Sequence, residues 1–79
     1  MPDKASAAGW VIEVVTLKQG DGSPLYRYFN VAIAEATQAV EAVRKQRAAV
    51  QANRVEAVRP LSSGEIAALR LRAGQVKPA

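Results

Sequence analysis

At 79 residues the chain is bounded to one domain, and a chain of this length buries only about 60% of its unfolded surface, so its core is thin. Apolar residues make up 49% and aromatics 5%, so alanine and β-branched side chains must fill that core around Trp10, Tyr26, Tyr28 and Phe29. Cysteine and histidine are both absent, which excludes disulfides, thiolate zinc sites, cysteine nucleophiles and the commonest general base and metal ligand.

The net charge of +4 is unevenly divided. Residues 1–43 carry Lys4, Lys18 and Arg27 against Asp3, Glu13, Asp21, Glu35 and Glu41, a net −2. Residues 44–79 carry eight basic residues against Glu56 and Glu65, a net +6. This asymmetry hints at an anionic partner for the second half. No run approaches the ~20 apolar residues of a membrane span, and residues 1–9 lack the apolar centre of a signal peptide. A cytoplasmic protein without a membrane partner is expected.

In chain order, Met1 to Gly9 is polar and alanine-rich and reads as a flexible tail, which leaves residues 10–79 as the folded domain. Trp10, Ile12, Val14 and Thr16 alternate with Val11, Glu13, Val15 and Leu17, a period-2 pattern dense in β-branched residues. Both faces are apolar enough for a central strand. Gln19-Gly20-Asp21-Gly22-Ser23-Pro24 is a turn by composition. A second strand follows from Leu25 to about Ile33, closing a hairpin. The period then changes: Ala36, Ala39, Val40, Val43, Arg47 and Val50 fall mostly at steps of three and four and predict a helix over 35–49. Its start is ambiguous, because no Ser, Thr, Asp or Asn stands at the obvious cap, and Asn30 is the competing start. Gln51-Ala52-Asn53 connects to a short third strand over 54–59, stopped by Pro60.

The sharpest local signal is Leu61-Ser62-Ser63-Gly64-Glu65-Ile66. Ser62 and Glu65 can form a capping box, and Leu61 and Ile66 a hydrophobic staple. A second helix over 63–73 follows, with Gly74 as the residue that ends it. The expected fold class is α+β in the order β-β-α-β-α. Its third strand runs in the direction of the second. Its sheet has three strands and both helices on one face. Tyr26 and Tyr28 are then left on the open face.

Two groups of residues are candidate sites. Trp10, Tyr26 and Tyr28 could form an aromatic interaction face, since sheet aromatics can stack unpaired bases; the plainer reading is cross-strand packing. Arg44, Lys45, Arg47, Arg54 and Arg59, extended by Arg70, Arg72 and Lys77, could hold phosphates or another anionic partner. The plainer reading there is a solvated surface, with the first cluster placed to suit a helix C-terminus. Gln19–Ser23 lacks the lysine and following helix of a phosphate-binding loop, and Asp21 has no second carboxylate beside it for calcium.

Catalysis finds no support in the sequence. The seven acids are scattered, Glu65 is committed to its cap, and no serine or threonine sits in a nucleophile elbow. The reading is a non-enzymatic interaction module without cofactor or metal, able to self-associate and binding a protein partner or a second copy through an open sheet edge or face. The competing reading is a nucleic-acid-binding accessory or regulatory domain that uses the basic second half.

Overall fold

The computed structural model describes residues 7–17, 22–46 and 52–79. Strands β1 (Gly9–Leu17) and β2 (Pro24–Val31) form the expected hairpin, followed by helix α1 (Ala36–Arg44), strand β3 (Arg54–Leu61), helix α2 (Ser63–Ala68) and strand β4 (Val76–Pro78). The sheet order is β3-β1-β2-β4, with every neighbouring pair antiparallel. The three-stranded sheet expected from the sequence is therefore corrected to four strands. β4 is only three residues long, too short to print an alternating pattern, and it ends in Pro78, a residue depleted in strands. β1 is central, as its two apolar faces indicate. β3 runs in the direction of β2 but pairs on the far side of β1.

The face of β1 that bears Ile12 and Val14 carries the main core. Phe29 and Val31 of β2 and Val55 of β3 lie on it, and α1 lays Ala39 and Val43 across them. Burying the larger of these, the valines, Ile12 and Phe29, contributes about 1.5–3 kcal/mol each relative to exposure. Glu35 caps α1, with its carboxylate accepting from the Gln38 N–H at 2.9 Å, so a glutamate does what Ser, Thr, Asp or Asn would ordinarily do. Arg47 and Val50, counted on the helical face, lie outside the described residues, as do the first six residues of the tail and Gln19, Gly20 and Asp21 of the turn. Of the tail, Gly9 opens β1 and the Ala8 N–H donates to the Leu61 carbonyl at 2.8 Å.

The second helix lies on the opposite face. The register between β1 and β3 slips by one residue, so that Ile12 faces Ala57 but Val11 faces Arg59, and Val58 is the extra residue of a β-bulge. A slip of one residue moves every later side chain to the other face. Arg59 and Leu61 consequently join Val11, Glu13 and Val15 instead of Val55 and Ala57. Leu61 is 1% exposed, yet it is not part of the main cluster. It lies under α2 in a crevice with Asn30, Arg59, Glu65, Ala68 and Leu69. The expectation of both helices on one face is corrected for this reason: the staple residue that starts α2 emerges on the side away from α1. Pro60 does not end the strand, because β3 is an edge strand and can carry a proline without breaking a ladder.

Within α2 the capping box forms as its sequence indicates. The Ser62 hydroxyl accepts from the Glu65 N–H at 3.1 Å, and the Glu65 carboxylate accepts from the Ser62 N–H at 2.9 Å. The helix ends at Ala68, earlier than the 73 read from periodicity. The Arg70 N–H donates to the Ala67 carbonyl at 3.0 Å and the Leu71 N–H to the Ile66 carbonyl at 3.1 Å, the paired bonds of a Schellman stop. Its left-handed position is held by Arg70 at φ 58°, not by glycine. Gly74, at φ 80°, serves instead the turn closed by the Gln75 N–H donating to the Arg72 carbonyl at 2.9 Å, which launches β4. Gly9 lies where a side chain would strike the Val31 carbonyl oxygen and Ile66 Cδ1.

Arg70→Gly is expected to raise stability by about 1 kcal/mol by relieving the left-handed backbone. Gly9→Ala is expected to lower it by about 1–3 kcal/mol through overpacking. Urea denaturation of the two variants and the parent checks both, and opposite signs are the required result.

Candidate functional site

The outer face of the sheet, away from α1, is covered by α2 at one end only. Toward the hairpin it exposes Tyr26 (49%), Tyr28 (42%) and Leu17 (54%). Alternation places Tyr26 and Tyr28 together there with Val15 and Glu13, their cross-strand partners. Trp10 is not with them. It stands on the α1 face, packs at the margin of the main core, and donates its indole N–H to the Ala34 carbonyl at 2.9 Å. That bond fixes the segment between β2 and α1 and gives the tryptophan a structural role. The two tyrosines alone remain as candidate interaction residues on the open face.

Glu13 is the centre of this face. Its side chain is 14% exposed. It accepts the Tyr28 hydroxyl proton at 2.9 Å and lies 3.6 Å from the Arg54 guanidinium, which also reaches Glu56 at 3.4 Å. The hydrogen bond to the Glu13 carboxylate, aided by desolvation and the nearby negative charge, holds the Tyr28 phenol above its usual pKa. Arg59 pairs with Glu65 at 3.1 Å. The backbone N–H of Ser62 and then the Arg59 side chain hold the Glu65 carboxyl below its usual range.

The basic candidates are therefore not one patch. Arg54 and Arg59 lie on the outer face and are engaged by carboxylates. Arg44 and Lys45 end α1, across the sheet, and Lys45 closes the helix with its N–H to the Glu41 carbonyl. Arg47 lies outside the described residues. Among the described residues no group of three or more acidic side chains is placed to hold a metal ion, and no buried side-chain polar atom lacks a partner. No helix among them is long and apolar enough to cross a membrane.

The sequence predicts an open sheet edge without locating it. The two edges of the sheet differ. β3 carries a bulge, Pro60 and the charged Arg54, Glu56 and Arg59, all devices that discourage a further strand. On the other side β4 pairs only with Phe29–Val31, and the ladder runs on as far as the Ala79 N–H, which donates to the Tyr28 carbonyl at 2.9 Å. Tyr28 thus directs its backbone polar groups toward the β4 side. Tyr26, two residues away in the same strand, directs its N–H and C=O the same way. Among the described residues no strand pairs with Pro24–Arg27 on this side. Tyr26, Arg27, Tyr28, Phe29, Pro78 and Ala79 line an open cleft of about 430 Å³ at that point. Only the alignment of β4 against β2 reveals this stretch, and nothing in the local sequence of β2 distinguishes it.

In comparisons with known proteins, the chain matches no family model, no curated protein and no solved structure.

A titration of phenolate absorbance is expected to show one tyrosine transition above the ordinary range, moved down in Glu13→Gln; an unmoved transition would separate the two side chains. The Tyr28 contribution to stability is present below the usual phenol pKa and is lost as pH rises through the raised one. The Glu65 contribution has the opposite sense. It is present above the usual carboxylate pKa and is lost as pH falls through the lowered one. Chemical denaturation across the acid range should accordingly show a shallower pH dependence in Glu65→Gln than in the parent.

Proposed function

We propose that this protein is a non-enzymatic interaction module that receives an extended segment of a protein partner along the open stretch of β2. The observation that carries the reading is the Pro24–Arg27 edge. An incoming strand there would meet the outward-facing N–H and C=O of Tyr26, with the Tyr26 and Tyr28 side chains on one face and Leu25 and Arg27 on the other. Strand addition of this kind draws affinity from main-chain hydrogen bonds and selectivity from alternate side chains. The guarded β3 edge supports the same reading, because a domain with both edges blunted would have no place for it. A cytoplasmic setting agrees with the lack of cysteine.

The nucleic-acid reading draws less from the geometry. Two of its five proposed phosphate contacts, Arg54 and Arg59, already face carboxylates at 3.1–3.6 Å, and Arg44 and Lys45 lie on the other side of the sheet. Self-association would use the same β2 stretch with a second copy as the occupant.

Tyr26→Pro tests the edge. The Tyr26 N–H does not serve the ladder to β1, so the substitution removes a donor from the edge while sparing the hairpin bonds. The variant is expected to keep the parent circular dichroism and to lose partner binding by tenfold or more. Hydrogen exchange on the unmodified protein gives a second reading without any substitution: the Tyr26 amide should become protected when a partner is bound. Binding that leaves it unprotected places the partner elsewhere.

A further inference from the structure

The open stretch of β2 is short. Backbone groups alternate in direction along the strand, and Tyr26 is the residue between Pro24 and Tyr28 that turns both its N–H and its C=O to the free side. Past it the Tyr28 carbonyl accepts from the Ala79 N–H at 2.9 Å, and β4 takes Phe29–Val31. A strand added beside a stationary β4 therefore gains the main-chain bonds of Tyr26 and few others, and each such bond is weak in net terms. The far side of β4 is no better. Lys77, opposite Asn30, and Ala79, bonded to Tyr28, direct their polar groups toward β2. Val76 and Pro78 face away, and Pro78 has no N–H to give.

β4 is itself thinly held. None of its residues is buried: Val76 is half-buried at the margin of the main core, and Lys77 and Pro78 are exposed. The turn before it is anchored separately. Leu71 is 8% exposed, the Gly74 N–H donates to the Ala32 carbonyl at 2.9 Å, and the Ala32 N–H donates to the Gln75 carbonyl at 3.0 Å. Val76 to Ala79 can lift from β2 while these bonds and α2 stay in place. Their removal uncovers the whole outer edge of β2, Pro24–Val31, about 27 Å at ~3.4 Å per residue. On that edge Tyr26, Tyr28 and Asn30 all present N–H and C=O.

We propose that β4 is a displaceable strand that covers most of the β2 edge, and that the partner segment binds by taking its place. The proposal rests on the strand-addition reading and adds the regulation of that site. The occupant is an extended segment of about eight residues, antiparallel to β2 as β4 is. It carries a β-branched apolar residue in the place of Val76, opposite Val31, and runs on past the place of Ala79 along Arg27, Tyr26 and Leu25. It replaces the main-chain bonds that β4 gives up and adds those of Tyr26, while the one β4 side chain packed on the core, Val76, is matched by its own. Because the full edge is competent only when β4 is away, the apparent affinity is the intrinsic one reduced by that fraction of molecules.

The test uses the full chain and a fluorescein-labelled peptide. The peptide repeats Gln75–Ala79 with valine for the proline, then continues in alternating threonine and valine far enough to reach Pro24. On the parent it is expected to protect the Tyr26 amide from hydrogen exchange and to raise exchange at the Lys77 and Ala79 amides, which lose β2. The double variant Asn30→Cys with Lys77→Cys supplies a lock, since the two positions are paired and the chain has no cysteine of its own. Its oxidised form should bind the peptide about tenfold more weakly than its reduced form in an anisotropy titration, with the same circular dichroism. Protection of Tyr26 with Lys77 and Ala79 still protected, or equal binding by the oxidised and reduced forms, would overturn displacement and leave strand addition beside β4 standing. No protection of Tyr26 in the parent or the reduced variant would overturn both. A dimer in sedimentation of the parent that the peptide does not dissociate would overturn a foreign segment as the occupant in favour of a second copy.

Discussion

The β-bulge at Val58 is the constraint on which the arrangement of the molecule depends. Up to Ala57, β3 contributes to the core beneath α1. One extra residue later, Arg59 and Leu61 are on the opposite face. Leu61 is the residue that staples α2 to the sheet, so the bulge decides which side α2 occupies. Gly9 completes the arrangement, because only a residue without Cβ lets Ile66 approach the backbone at that corner. Without the slip, α1 and α2 would compete for one face and the other would be bare along its whole length. With it, Leu61 and Leu71 are buried outside the main core under α1, a useful addition in a chain with so little interior.

Much of this was legible in the residues, for identifiable reasons. The alternation in Trp10–Leu17 and the turn formers at Gln19–Pro24 specify the hairpin. The Ser62–Glu65 box specifies the start of α2 to the residue. What escaped has physical causes. A bulge leaves no compositional mark in Val55–Arg59, so the face of α2 could not be read. Arg70 occupies a left-handed position that chemistry assigns to glycine, so the sequence points to Gly74 as the stop. β4 is three residues beside a proline. Trp10 looked like part of an open aromatic face because parity in β1 does not say which face a helix covers; its indole bond to Ala34 shows that this is the covered one.

The candidate site was legible only as an unlocated edge. Exposed tyrosines are common on sheets, and Tyr28 is tied to Glu13, which sits among Tyr28, Arg54 and the flanking strands as a satisfied polar centre. The functional weight falls on backbone groups, which have no identity in a sequence. They become visible only when the reach of β4 along β2 is known. The cations are the reverse case: their positions in the chain were plain, but their grouping was not. The sequence groups Arg54 and Arg59 with Arg44 and Lys45, whereas the fold pairs Arg54 and Arg59 with acids and sets Arg44 and Lys45 across the sheet.

Placing the earliest strand at the centre of the sheet also fixes an order of events in folding. β1 and β2 are joined by a short connection and can close on the microsecond scale of hairpins. The other side of β1 must wait for β3, 52 residues further along for the Gly9–Leu61 pair. During synthesis at about 5–20 residues per second, that interval lasts a few seconds. Throughout it the central strand stays unpaired on the β3 side, and until α1 is made Ile12, Val14 and Phe29 are uncovered as well. The exposed state of highest aggregation hazard therefore precedes the finished fold, and it belongs to the half of the chain whose charge is net negative.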